Sequence, residues 1–129
     1  MSVESAAREA HINEIRSSVK ALCARYGEQY WLELDATRGY PTQFVRELTE
    51  AGFLTALIPE AYGGAGLGVL EAAVLMEEIS RSGAHAGACH AQMYVMGSIL
   101  RHGSETQKRL YLPKIASGEL RLQSFGVTE

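Results

Sequence analysis

The stretch from Ser82 to Leu100 contains no Asp, Glu, Lys or Arg over 19 residues. A membrane-spanning helix needs about 20 apolar residues, so the length alone would allow a span. Three glycines, two histidines, two serines and Gln92 make insertion into a bilayer unfavourable, however. A helix enclosed by other helices explains this composition better. The sequence therefore predicts a central helix from Ala84 to His102 and no membrane span.

Composition and charge narrow the class of protein further. The 129 residues are 47% hydrophobic and 21% charged, which is typical of one globular domain with its own core. Twelve basic and 15 acidic residues are interspersed, so no basic stripe indicates a nucleic-acid partner. The first residues include acidic side chains and resemble neither a signal nor a transit peptide, and we expect a cytoplasmic protein.

Four further helices are predicted from apolar spacing and end signals. Ser104 and Gln107 have the spacing of a capping box, and Gly52 and Gly118 are suited to end helices in a left-handed conformation. The run from Tyr30 to Leu34 is too short to assign. The predicted ranges are Glu4–Gly27, Pro41–Ala51, Leu70–Arg81 and, with Pro113 kinking or shortening it, Glu105–Ala116. The expected fold is mostly α, an orthogonal or up-down bundle of about five to six helices.

The last residues have a different pattern. Polar and apolar side chains partly alternate over residues 121–128, which predicts a strand. A single strand cannot satisfy its own backbone hydrogen bonds. Either the sequence is a piece of a longer protein, or the strand is frayed.

The sequence contains few motifs that would indicate a nucleotide-binding, metal or catalytic site. The glycines between Gly63 and Gly68 do not have the spacing of a dinucleotide or phosphate loop, so we interpret them as a tight connection. Cys23 and Cys89 lack metal-ligand or disulfide spacing. His85 and His90 are five residues apart and lie on different sides of a helix, and His102 lies in a last turn, so we expect core or capping roles for all three. No metal site is predicted.

Met93, Met96, Gly97 and Leu100 share one face of the central helix. They are either core residues or the lining of a slot for an apolar chain, since flexible thioethers suit both. The pattern does not separate the two interpretations.

Three segments together resemble the N-terminal part of the acyl-CoA dehydrogenase family. They are residues 57–68 (LIPEAYGGAGLG), residues 103–119 (GSETQKRLYLPKIASGE) and residues 125–129 (FGVTE). Their order and spacing both match. The resemblance implies an N-terminal helical domain over residues 1–118 and the incomplete start of a middle β domain over residues 119–129, in a family whose chains are roughly three times as long.

The resemblance also implies a function for the parent enzyme. Such an enzyme uses FAD to oxidise an acyl-CoA thioester to the trans-2-enoyl thioester and passes electrons to an electron-transferring flavoprotein, commonly as a homo-oligomer, with tetramers among full-length relatives. Phe125, Val127 and Thr128 match the strand that contacts the flavin, and the face of Met93, Met96, Gly97 and Leu100 aligns with a helix lining the acyl cavity. The glutamate base of the family belongs to a later bundle. This chain alone is therefore expected to be inactive, and the alternative is a non-catalytic helical interaction module.

Overall fold

The structure, a computed structural model, describes residues 3–126 and consists of six α-helices over that range. Two single-turn 3₁₀ helices, Phe53–Thr55 and Glu60–Tyr62, lie in the connection between the third and fourth helices. The helices are α1 (Val3–Cys23), α2 (Glu28–Thr37), α3 (Thr42–Glu50), α4 (Val69–Arg81), α5 (Gly87–His102) and α6 (Glu105–Ser117). Within the described residues no helix has the length and apolar character to cross a bilayer. The predicted helical fold is confirmed.

The core lies in two clusters separated along α5. The larger cluster joins α1, α3, α4 and the beginning of α5, and its centre includes the fully buried Val19, Phe44 and Ile79. The smaller cluster joins α6 to the end of α5 through Met96, Leu112 and Ile115. Because α5 contributes to both clusters, it is the central helix that its uncharged sequence predicts.

Most predicted helix ends lie close to those of the structure, but α1 ends at Cys23 and not at the expected Gly27. Ser104 Oγ accepts from the Gln107 backbone N–H at 3.2 Å, and Gln107 Oε1 accepts from the Ser104 backbone N–H at 2.8 Å, so the capping box is formed. The sixth helix runs past Pro113 and ends at Gly118, which has a φ of 79°. The fifth helix begins at Gly87 and not at Ala84, because Gly83 adopts a φ of 81° and a short loop precedes the helix.

The glycine-rich connection is a tight loop, as predicted. Gly63 and Gly66 have positive φ angles of 85° and 63°, which glycine adopts without steric cost. The loop folds back on the chain before it: Gly66 N–H donates to the Ile58 carbonyl at 2.8 Å, and Leu67 N–H donates to the Ala56 carbonyl at 2.7 Å. The role of this loop is therefore to pack against the preceding residues 55–58.

Two parts of the structure differ from the sequence prediction. Residues 28–37, only partly covered by the unassigned run, form α2, which has no fully buried residue and is held by edge-on ring contacts of Tyr30 and Trp31. The strand predicted over residues 121–128 is not formed in its described part, residues 121–126. No other extended segment of the described chain lies beside these residues to complete a ladder.

Candidate functional site

The residues predicted to line an acyl slot lie mainly in the core. Met93 belongs to the larger cluster and Met96, with no exposed surface, to the smaller one. Leu100 is half-buried against the smaller cluster. A side chain placed on Gly97 would meet no atom within 4 Å, so this position faces open space. The two methionines thus have the core role among the two that the sequence left open.

A cleft of about 910 Å³ opens beside the first turns of α5. Its walls come from the end of α2, the loop from Arg38 to Pro41, the loop before α5, and one side chain of the C-terminal segment, by which we mean residues 119–126. The lining residues are Trp31, Leu34, Asp35, Arg38, Gly39, Tyr40, Pro41, Gly83, Ala84, His85, Gly87, Ala88, Ala91 and Gln123. Its volume lies within the range of about 300 to 1,000 Å³ that is usual for small-molecule sites.

The chemistry of the cleft is mostly apolar. Ala84, Ala88 and Ala91 present small side chains to it, and Trp31 forms an aromatic wall. The Trp31 indole N–H donates to the Tyr26 carbonyl at 3.1 Å, so its one polar group is already satisfied. The charged side chains of Asp35 and Arg38 belong to exposed residues. The cleft can accommodate an apolar chain and keeps its charges near solvent.

The C-terminal segment is attached to the bundle by side chains. Arg121 Nη1 donates to Gln92 Oε1 at 3.1 Å, and Arg121 Nη2 donates to Thr49 Oγ1 at 3.3 Å. Gln92 is 1% exposed and also donates to the Leu54 carbonyl at 3.4 Å. A buried amide without partners is costly, so Arg121 both anchors the segment and satisfies Gln92.

Gln123 provides a second attachment. Its Nε2 donates to Tyr40 Oη at 2.8 Å and to the Ala88 carbonyl at 3.1 Å. Its backbone carbonyl accepts from Tyr94 Oη at 3.0 Å. These bonds tie the segment to the loop before α3 and to two turns of α5.

The predicted flavin-contacting residues lie at the end of this segment. The Phe125 ring packs on the Tyr94 ring with centroids 4.7 Å apart and planes tilted by 32°, and Phe125 remains 54% exposed. Residues 121–126 make no backbone–backbone hydrogen bond within the described chain. Val127 and Thr128 lie outside the described residues. The structure thus brings an exposed aromatic ring and a backbone edge together next to α5.

The remaining candidate groups are a buried cysteine and three histidines, of which His85 lines the cleft. Cys89 is fully buried, and desolvation raises the pKa of its thiol to about 12, so it remains protonated and packs as an apolar side chain. His85, His90 and His102 are exposed, so the core alternative of the expected core or capping role is wrong for them, while His102 lies in the last turn of α5 as expected. Among residues 3–126, no cluster of potential ligands could hold a metal ion.

Sequence reasoning missed the residues that organise this site: Trp31, Tyr94, Arg121 and Gln123. For the last two, the alternation of polar and apolar residues was the available signal. We interpreted it as a strand, whereas no strand forms over residues 121–126 and both polar side chains point back to the bundle.

Comparisons with known proteins identify relatives of this helical domain. Residues 9–119 match the family described as "Acyl-CoA dehydrogenase, N-terminal domain". The chain is 32% identical to acyl-CoA dehydrogenase fadE12 of Mycobacterium tuberculosis over 98% of its own length and 32% of the relative. It is 38% identical to glutaryl-CoA dehydrogenase of Desulfococcus multivorans, over 90% of this chain and 30% of that one. Mitochondrial isovaleryl-CoA dehydrogenase of Bos taurus is 34% identical, over 84% and 27%.

A solved structure gives the same result for the fold. A chain in a structure described as the electron transferring flavoprotein of Acidaminococcus fermentans superposes with a TM-score of 0.70 and 27% identity, over 83% of this chain and 29% of that chain. This chain spans about a third of the length of the relatives that it matches. The extent of the family match and the identity to fadE12 show that the chain belongs to the acyl-CoA dehydrogenase family, through the N-terminal helical domain of that family.

Proposed function

We propose that this chain supplies the N-terminal helical domain of an enzyme that oxidises the Cα–Cβ bond of an acyl-CoA thioester to a trans-2-enoyl thioester. Residues 1–118 are that domain, and residues 119–129 begin its middle β domain. The observation that supports the proposal most directly is the attachment of the C-terminal segment beside an apolar cleft. An acyl chain and a cofactor must meet at one place, and the segment that carries the candidate flavin contacts also contributes Gln123 to the cleft, which supports the proposal.

The residues at the end of the segment fit FAD. Phe125 offers an exposed ring, and the neighbouring backbone has N–H and C=O groups that are not engaged in backbone pairing, as a ring system with alternating donors and acceptors requires. In our proposal Phe125 and the Val127 backbone contact the flavin, and the Thr128 hydroxyl, which can donate and accept, adds a further hydrogen bond. FAD, when bound, supplies the hydride acceptor.

The cleft receives the acyl chain in this proposal. Its small and aromatic lining suits methylene groups, and Gly97 and Leu100 remain candidates for contacts further along α5. Met93 and Met96 then pack in the two core clusters and so set the position of α5. The names of the relatives include both isovaleryl and glutaryl groups, so the acyl group of this protein is left open.

Within the described residues, the Glu77–Glu78 pair on α4 does not offer a suitable base. Arg16 pairs with Glu77 and Glu78, and hydrogen bonding to Arg16 lowers the pKa of Glu77. A carboxylate held ionised by a guanidinium on α1 is a poor acceptor for a carbon-bound proton. We propose that the catalytic glutamate comes from a part of the enzyme beyond this domain, and that the chain alone forms no enoyl-CoA.

We further propose that the complete enzyme is a cytoplasmic homo-oligomer that passes its electrons to an electron-transferring flavoprotein. The domain is sequence-related to dehydrogenases whose chains are about three times as long, and this relation supports the assignment.

A chimera tests the proposal. Residues 1–129 replace the matching part of the fadE12 relative from Mycobacterium tuberculosis, and the purified protein is examined for flavin absorbance and for acyl-CoA oxidation with an artificial electron acceptor. We expect bound flavin and measurable oxidation, with neither in the 129-residue chain alone. A chimera that folds, as judged by circular dichroism and gel filtration, but takes up no flavin would contradict the proposal and favour a helical interaction module.

A further inference from the structure

Gln123 has an unusual position, because it belongs to the C-terminal segment and also lines the cleft. It bridges two other residues of the cleft wall: Tyr40, on the loop before α3, and Ala88, in the first turns of α5. We call these two hydrogen bonds, both donated by Gln123 Nε2, the Gln123 bridge. The bridge therefore connects two elements of the wall through one amide.

The bonding of the bridge suits an apolar ligand. Both hydrogens of the Gln123 amide nitrogen are used, one by Tyr40 Oη at 2.8 Å and one by the Ala88 carbonyl at 3.1 Å. The amide thus presents no unsatisfied N–H to the cleft, so an apolar chain next to this nitrogen leaves no donor without a partner. A free amide at the same place would instead favour a polar group.

The backbone of Gln123 is also held in place, by Tyr94. Tyr94 Oη donates to the Gln123 carbonyl at 3.0 Å, and the Tyr94 ring packs on Phe125. A residue that could swing freely would not limit a ligand, whereas backbone and side chain of Gln123 are both fixed. Tyr40 is a loop residue and 44% exposed, whereas Ala88 lies within α5, so the position of Tyr40 depends on the bridge more than that of Ala88 does.

We propose that Gln123 is a specificity-determining residue: the Gln123 bridge closes one side of the cleft and limits the length of the acyl chain that it accepts. This inference rests on the proposed function, since it takes the cleft as the acyl site. Without the bridge, Tyr40 separates from α5 and the cleft extends towards the C-terminal segment. Longer chains then fit.

The first experiment measures the closure without any ligand. Trp31, the single tryptophan, lines the cleft and reports on its accessibility. Gln123→Leu removes both donors at similar volume, Tyr40→Phe removes only the acceptor on an exposed ring, and Gln43→Leu, on the exposed face of α3, is the control. We expect acrylamide quenching of Trp31 to rise about twofold in the first two variants and to stay unchanged in the third. Unchanged quenching in both bridge variants, with native circular dichroism, overturns the inference.

The second experiment measures chain-length preference. Octanoate and myristate are titrated into each 129-residue protein, with Trp31 emission as the readout. The bridge variants should raise the ratio of myristate to octanoate affinity at least fivefold over the unaltered chain and over Gln43→Leu. Binding with an unchanged ratio overturns the inference and leaves the acyl cleft intact. If neither fatty acid binds any of the proteins, the acyl cleft itself is refuted, and the specificity role with it.

Discussion

Replacing Gly64 with alanine tests the most crowded glycine of the described chain. A Cβ atom at position 64 would lie 2.0 Å from the Ile58 carbonyl oxygen and 2.4 Å from the Ile58 Cβ. Contacts of a Cβ below 3.0 Å are essentially never seen in proteins. Since Ile58 is fully buried and the nearest atom belongs to the backbone, a side-chain rotation cannot relieve the clash. The loop itself must move away from the chain that it covers.

The size of the effect follows from the hydrogen bonds that this movement stretches. Ala65, Gly66 and Leu67 donate to the carbonyls of Thr55, Ile58 and Ala56 at 3.2, 2.8 and 2.7 Å. At roughly 1 kcal/mol for each, their loss costs about 3 kcal/mol. Overpacking of a core by itself costs about 1 to 3 kcal/mol, so the two approaches agree. For a domain of this size, such a loss lowers the Tm by roughly 10 °C.

Urea unfolding followed by circular dichroism measures the free energy of unfolding of each variant. Gly97→Ala is the matched control, because its Cβ meets nothing within 4 Å and the residue lies inside α5. The free energy of unfolding of this control should rise by about 0.5 to 1 kcal/mol, since alanine has a higher helix propensity than glycine. If the free energy of unfolding of Gly64→Ala falls by less than about 1 kcal/mol, the loop can move to accept a Cβ atom at little cost, and the reasoning is refuted.

Three further predictions follow from capping and charge. Ser104→Ala should lower the free energy of unfolding by about 1 kcal/mol in urea unfolding because it removes the capping box of α6, and no loss would contradict that role. The pKa of Cys89 is raised from 9.0 to about 12, so above pH 9 the unfolded state releases a proton that the folded state keeps. The contribution of this residue to the free energy of unfolding should therefore be fully present below pH 9 and be lost as the pH rises towards 12. Urea midpoints at pH 8 and pH 10.5 measure this fall, which should be smaller in Cys89→Ala. The pKa of Glu77 is lowered by its hydrogen bond to Arg16, so its contribution is present above the unfolded pKa and is lost as the pH falls through the folded value. The free energy of unfolding of Glu77→Gln should therefore fall less than that of the unaltered chain as the pH is lowered, in the same urea measurement. An equal fall in both proteins would show that the Arg16–Glu77 pair has no effect on stability.

Local signals in the sequence were sufficient for most of the helical framework. The capping box at Ser104, the left-handed glycines at Gly52 and Gly118, and the uncharged stretch that becomes α5 each act over a few residues. The second helix escaped prediction because Tyr30, Trp31 and Leu32 are consecutive and not spaced at helical intervals. Its stabilising contacts are edge-on packing of Tyr30 against Tyr26 and of Trp31 against Phe44.

The sequence by itself determined the bundle, the tight glycine loop and the family, because short-range backbone preferences and the order of three motifs are written along the chain. Only the tertiary structure decided which α5 residues are core and where the cleft opens. Met96 is buried because α6 covers it, and Gln123 lines the cleft because Tyr40 and Ala88 hold its amide. These contacts join residues that are far apart in sequence, and a pattern read along the chain does not contain the distances between them.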